Sequence, residues 1–196
     1  MLAGGFTIIR QPILFAICFS LAFVVVSCQK KPPRKTLTGP DSTEGYDFNN
    51  DGTDDVLYIY KGGQVNRVKT DLNFDGVFDI TTYYSIGQPE HQEGDYNFDG
   101  QADAWIDFKN GHPEFGRVDT DFNGKPDLFV TYANGIPRES ICRPNEQSAI
   151  TRIYRFYDGI LIAEIWDTDK DGRLDTTNYF DAFGEVVDTV SGQKKN

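Results

Sequence analysis

The chain has 196 residues, 30 of them acidic against 19 basic, and a net charge of −11. That balance excludes nucleic acid as a partner, because phosphate contacts demand the opposite sign. With three cysteines and 39% hydrophobic residues, the length suits one modest domain rather than a disulfide framework.

Arg10 precedes an apolar run from Ile13 to Val26, with Ser20 as its polar interruption. The run is short for a bilayer span and suits the core of a signal peptide. It ends in Val25-Val26-Ser27-Cys28, which resembles the lipobox of bacterial lipoproteins. That resemblance implies cleavage of residues 1–27 and acylation of Cys28, so that a lipid anchor holds the protein on a bilayer. The expected location is the bacterial cell envelope, at the outer membrane or cell surface. Removing residues 1–27 takes away Arg10 and no acid, which leaves a net charge of −12. Cys18 departs with the signal and lipid consumes Cys28, so Cys142 is the only thiol left, and one thiol cannot make an internal disulfide. An exported domain without disulfides needs another cross-link, and metal is the candidate.

Residues 28–45 form the lipidated cysteine and a flexible tether. Lys30, Lys31, Arg34 and Lys35 stand among prolines there, without a hydrophobic period. The four cations suit either an anionic headgroup surface or a plain solvated spacer. The repeat domain is expected over 46–190, followed by a tail at 191–196.

A nine-residue pattern, D-x-[ND]-x-[DN]-G-x-x-D, begins at Asp47, Asp71, Asp95, Asp119 and Asp167. The first four starts are 24 residues apart, and the fifth lies two periods further on. The skipped register reads Arg143-Pro144-Asn145-Glu146-Gln147-Ser148 and has lost most of its acids. One unit therefore recurs six times, which predicts a repeat array.

Each loop is followed by a short run of β-branched and aromatic residues, such as Val56-Leu57-Tyr58-Ile59-Tyr60 or Leu128-Phe129-Val130-Thr131-Tyr132. These runs are too short for helices and read as strands. Tyr60, Tyr84, Phe108, Tyr132, Phe156 and Phe180 form an aromatic column. A side-chain period of two puts that column on one face with Val56, Tyr58, Ile80, Ile106, Leu128 and Val130, the expected core. Asn110-Gly111, Asn134-Gly135 and Asp158-Gly159 are hairpin-turn dipeptides. Pro89, Pro113 and Pro137 then open second strands that are more polar and should have one wet face. The predicted fold is all-β: six 24-residue β-hairpins joined by acidic loops, as an open curved meander, a solenoid or a partial propeller.

Within a loop, alternate oxygen side chains converge on one point, glycine lets the backbone reverse, and a final carboxylate closes the cage. Such a hard, flexible oxygen set suits calcium, and no histidine or cysteine lies in any loop. The loops resemble the D-x-D-x-D-G-x-x-D calcium loops of integrin α-subunit propellers and thrombospondin type 3 repeats, which are EF-hand-like. The resemblance implies side-chain ligation by Asp47, Asn49, Asp51 and Asp55; by Asp71, Asn73, Asp75 and Asp79; and by Asp95, Asn97, Asp99 and Asp103. In the fourth loop it implies Asp119, Asp121, Asn123 and Asp127, and in the last Asp167, Asp169, Asp171 and Asp175. Backbone carbonyls of Thr53, Val77, Gln101, Lys125 and Arg173 would complete the shells, for up to five Ca²⁺. The likeness covers the loops alone. The closing EF-hand glutamate is missing, and the positions where it would stand are Tyr58, Thr82, Ile106, Val130 and Asn178.

Five divalent ions would bring the charge from −12 to −2 and relieve like charges that repel within each loop. The loop at 167, with four carboxylates, should bind most tightly. In the skipped repeat, Arg143 or Arg152 is expected to supply the missing positive charge internally. The alternative is a partner contact at Arg138, Cys142 and Arg143.

These features point to a calcium-stabilised, lipid-anchored binding or scaffolding module of adhesion-like type, with an unidentified protein or glycan partner. The alternatives are an envelope hydrolase acting on polysaccharide, and a calcium sensor or buffer. His91 and His112 lie in different repeats without a nucleophile motif nearby. No separate carboxylate pair carries an acid–base signature, so no catalytic residue is assigned and an enzyme is not expected. A sensor needs a conformational switch, and repeated hairpins offer none.

Overall fold

A computed structural model describes residues 39–144 and 147–192. The signal segment 1–27, Cys28, the tether as far as residue 38 and residues 193–196 of the tail lie outside the described residues.

The fold is all-β, and no helix occurs among the described residues. Thirteen strands follow one another in a single open sheet, each hydrogen-bonded antiparallel to its neighbours in the sequence. They are β1 (Ser42–Tyr46), β2 (Val56–Lys61), β3 (Gln64–Thr70), β4 (Ile80–Ser85), β5 (Gln88–Gly94), β6 (Ala104–Lys109) and β7 (His112–Val118). Then come β8 (Leu128–Ala133), β9 (Ile136–Cys142), β10 (Arg152–Tyr157), β11 (Ile160–Trp166), β12 (Thr176–Phe180) and β13 (Val186–Ser191). The six expected hairpins are β2–β3 through β12–β13, and the array is an open meander rather than a closed ring.

β1 departs from the sequence reading, since residues 42–45 were expected in the tether. Instead Ser42 to Tyr46 pairs with Tyr60 to Val56. Physically, the first acidic loop needs a strand on each side, and β1 supplies the entering one. Glu44 fastens it by accepting hydrogen bonds from the hydroxyls of Tyr46 (2.8 Å) and Tyr60 (3.1 Å).

Register lines up the buried side chains in rows that cross the sheet. One row runs Tyr46, Val56, Thr70, Ile80, Gly94, Ala104, Val118 and Leu128. The next runs Tyr58, Val68, Thr82, Gln92, Ile106, Gly116, Val130 and Ser140. Over its last four residues large side chains alternate with small ones, so Val130 becomes fully buried opposite Ser140 and beside Gly116. Each aliphatic side chain so buried contributes about 1.5–3 kcal/mol. The aromatic column closes this face near the turns, with Tyr60, Phe108, Tyr132 and Phe180 buried and Tyr84 and Phe156 half-buried.

Five hairpins turn through two residues with positive φ: Gly62-Gly63, Ile86-Gly87, Asn110-Gly111, Asn134-Gly135 and Asp158-Gly159. Positive φ at both positions is the type I′ signature, whose twist matches that of the flanking strands. The sixth turn has a longer tip, in which Asp181 N–H donates to the Glu185 carbonyl (3.0 Å). In every hairpin the register shifts just before the turn, for example between Ile59 and Tyr60 and between Thr131 and Tyr132. Such bulges increase the local twist of each hairpin.

With loops and turns alternating along a meander, all six loops fall on one edge of the sheet and all six turns on the other. Consecutive loops are thus two strands, roughly 9.5 Å, apart.

Candidate metal centre

The loop edge is held together by backbone hydrogen bonds. Asp71 N–H donates to the Asp55 carbonyl, Asp95 N–H to that of Asp79 and Asp119 N–H to that of Asp103, each at 2.8 Å. Arg143 N–H donates to the Asp127 carbonyl (2.9 Å) in the same register. The first residue of each loop is therefore hydrogen-bonded to the ninth residue of the loop before it. Opening and closing aspartates stand next to one another along the edge.

The five acidic loops are braced in the same way. The opening aspartate accepts the glycine N–H through Oδ2: Gly52 on Asp47, Gly76 on Asp71, Gly100 on Asp95, Gly124 on Asp119 and Gly172 on Asp167, at 2.6–2.9 Å. The closing aspartate accepts the N–H of the second loop residue: Phe48 on Asp55, Leu72 on Asp79, Tyr96 on Asp103, Thr120 on Asp127 and Thr168 on Asp175. The fifth residue accepts from the seventh, so Thr53, Val77, Gln101, Lys125 and Arg173 aim their N–H groups at Asp51, Asp75, Asp99, Asn123 and Asp171. Glycine with positive φ permits each reversal.

These bonds bury acid. Asp55, Asp71, Asp79, Asp95, Asp103 and Asp119 are only 1–8% exposed. None of the six joins an ion pair formed among the described residues. Burial pushes the carboxyls of Asp79 and Asp103 above the usual range, and two acidic neighbours in each loop add to that, against the backbone donors. A buried carboxylate without a cation is costly even when hydrogen-bonded. Asp55 shows it directly, because Oδ2 accepts from Phe48 and Asn49 while buried Oδ1 has no partner.

The loops differ at their third residue. In the first three it is asparagine, whose amide donates to the fifth residue: Asn49 to Asp51 (2.7 Å), Asn73 to Asp75 (3.0 Å) and Asn97 to Asp99 (3.1 Å). That bridge closes the cage from within. In the last loop Asp169 replaces asparagine and has no amide to give. There Asp167, Asp169 and Asp175 each bring a carboxylate oxygen within 4.8 Å of the others, an arrangement that can hold a metal ion. Buried Oδ1 of Asp167 has no hydrogen-bond partner. Asp175 is held ionised below the usual range, first by the Thr168 hydroxyl and then by the Thr168 N–H. Both bonds fall on its Oδ1. Asp171 stays exposed and accepts the Arg173 N–H. In the fourth loop Asp121 is exposed, and Asn123 donates its N–H to Asp119 (3.2 Å).

In the skipped repeat Arg143 takes the place of the opening aspartate, and its guanidinium lies 4.4 Å from the centre of the Phe129 ring. Arg152 sits in β10 and pairs with Glu164 (2.8 Å). Its charge therefore serves the sheet rather than the loop. His91 is held by Asp107 (2.8 Å), and His112 is exposed at the start of β7.

Two features were not read from the sequence. Thr120 and Thr168 close their loops with hydroxyl as well as amide donors. Phe74, Phe98 and Phe122 hold the fourth loop position with positive φ.

No protein-family model and no curated protein matches the chain. Among solved structures, a Staphylococcus aureus TarM mutant in complex with Fondaparinux, alpha-GlcNAc-glycerol and UDP is 11% identical over 55% of this chain and 21% of its own, with a TM-score of 0.41. Accessory secretory protein 1, 2 and 3 of Streptococcus pneumoniae is 12% identical over 65% and 24%, with a TM-score of 0.37. The chain thus spans less than a quarter of either structure's length, and likeness at this level bears on neither fold nor function.

Proposed function

We propose that this is a calcium-binding, calcium-stabilised protein of the bacterial envelope, anchored by lipid at Cys28 and serving as a rigid binding or scaffolding module. The observation that carries the reading is buried acid without a matching cation. Asp55 Oδ1 and Asp167 Oδ1 have no hydrogen-bond partner, and Asp167 converges with Asp169 and Asp175. A divalent ion supplies the missing positive charge, and hard oxygens from carboxylates, amides and loop carbonyls favour Ca²⁺ over softer metals.

Because the loop edge is a chain of backbone hydrogen bonds, an ion that fixes one loop also fixes the strands on either side. Binding energy then becomes folding energy. At ten times the dissociation constant each site adds about 1.4 kcal/mol. Five sites together would move the melting temperature by about 10 °C or more in a domain of this size. Differential scanning calorimetry with millimolar Ca²⁺ and then with EGTA tests the reading. The expected result is that large a fall on chelation, and an unchanged melting temperature contradicts it.

A further inference from the structure

The fourth position of each acidic loop is left-handed: φ is 61° at Asn50, 62° at Phe74, 63° at Phe98, 57° at Phe122 and 60° at Lys170. Asparagine tolerates that conformation, whereas a bulky ring does not. Asn50 and Lys170 hold the same backbone without a ring, so loop geometry does not demand phenylalanine. Core packing does not demand it either, since the three rings are 47–51% exposed. Three strained, half-bare rings therefore recur on consecutive loops of one edge, roughly 9.5 Å apart. Phe48 and Val77, both exposed, extend the apolar rim to the first and second loops.

The polar groups beside these rings are spent inside the loops. Asp71 accepts from Phe74, Asp75 and Gly76, and Asn73 and Asp75 bridge one another. What faces outward is hydrocarbon, next to oxygen cages and without a lysine or arginine in the first three loops. Metal-free, such an edge repels an anionic surface. Charged with divalent ions, it is close to neutral, so the repulsion is largely lifted and the ions themselves can meet headgroup oxygens.

We propose that Phe74, Phe98 and Phe122 insert into the interface of a bilayer with anionic headgroups, and that ions in the same loops bridge to those headgroups. This rests on the calcium reading above. The occupant is a bilayer rather than a sugar because ring stacking on a glycan needs free hydrogen-bonding side chains around the ring, and here the loop consumes them. Exposed apolar side chains beside compensated charge are the ordinary means of interfacial binding.

The test uses the full chain with Phe98→Trp as a depth probe and Lys170→Trp as the control in the ringless last loop. Vesicles of phosphatidylcholine and phosphatidylglycerol carry brominated acyl chains, the signal of Trp105 and Trp166 is subtracted using the parent chain, and calcium uptake is followed calorimetrically in parallel. Calcium should quench the Phe98→Trp probe and leave the Lys170→Trp probe unchanged, with reversal by EGTA. Adding Phe74→Asn and Phe122→Asn should raise the lipid needed for half-maximal quenching about tenfold, while calcium uptake holds and the melting temperature stays or rises as the strain is relieved. Calcium uptake without quenching overturns the membrane proposal and leaves the calcium reading intact. No calcium uptake overturns both. An emission change with soluble polysaccharide and none with vesicles overturns it in favour of a sugar ligand. A melting temperature lowered by Phe74→Asn and Phe122→Asn shows the rings to be structural, which also overturns it.

Discussion

The Asp71 N–H donates to the carbonyl of Asp55 at 2.8 Å, so the residue that opens the second acidic loop is bonded to the one that closes the first. The same bond recurs between Asp95 and Asp79 and between Asp119 and Asp103. It joins successive loops into one continuous edge, along which buried carboxylates gather.

Asp169 sets the last loop apart, since its carboxylate converges with those of Asp167 and Asp175 in an arrangement that can hold an ion. Asp169→Asn restores the amide bridge of the first three loops, which should stabilise the metal-free protein and weaken the tightest calcium site about tenfold, or ~1.4 kcal/mol. Competition with a calcium-sensitive dye checks the affinity. Equal affinity in parent and variant would mean that Asp169 is not a ligand.

The pH dependence of the chelated protein follows from Asp79 and Asp103, whose carboxyls burial raises above the usual range. A group raised in the fold lends stability that is whole below the unfolded value of 3.8 and is lost as pH climbs through the folded value. From these two groups, stability in EGTA should fall as pH rises from the acid range toward neutrality. Calcium should suppress that loss, since ligands bind it deprotonated. Melting curves of Asp79→Asn in EGTA should show a flatter slope, and an unchanged slope contradicts the assignment.

Ile86 occupies the first position of a type I′ turn with φ of 49° and is 90% exposed. A β-branched residue gains nothing there and strains the backbone. Ile86→Asn should stabilise by about 1 kcal/mol and raise the melting temperature by about 3 °C. A lower melting temperature would show that Ile86 makes a contact worth more than the strain.

Arg152 in β10 reaches diagonally to Glu164 in β11, which stands opposite Tyr154, and the Glu164 side chain is largely buried. Arg152→Met leaves that carboxylate unpaired and should cost about 2–3 kcal/mol, somewhat less than a fully buried pair because the arginine is partly exposed. Adding Glu164→Met should recover most of the loss. Urea titration of both variants and the parent settles the coupling energy.

Much of the fold was legible because one period of 24 residues carries every signal at once. Val56, Tyr58 and Tyr60 alternate as a half-buried strand must, and Asn110-Gly111 can hardly be anything but a turn. β1 was hidden because Ser42-Thr43-Glu44-Gly45 has no apolar alternation, and its pairing depends on Glu44 meeting the hydroxyls of Tyr46 and Tyr60. The ligand spacing was equally plain, yet the difference between loops was not. Whether the third residue bridges to the fifth through its side-chain amide or brings a carboxylate beside those of the first and ninth depends on one amide, and that shows only when Asn73 and Asp169 are set side by side in three dimensions. Strain at Phe74, Phe98 and Phe122 was invisible for a similar reason: a ring in a loop pattern says nothing about the sign of φ.

The central claim is that divalent ions occupy the acidic loops and fasten one hairpin to the next. Isothermal titration of the metal-stripped protein with calcium tests it most directly, by counting equivalents. Up to five bound ions, with the tightest step lost in Asp167→Asn, is the predicted result, and no uptake at millimolar calcium would contradict it.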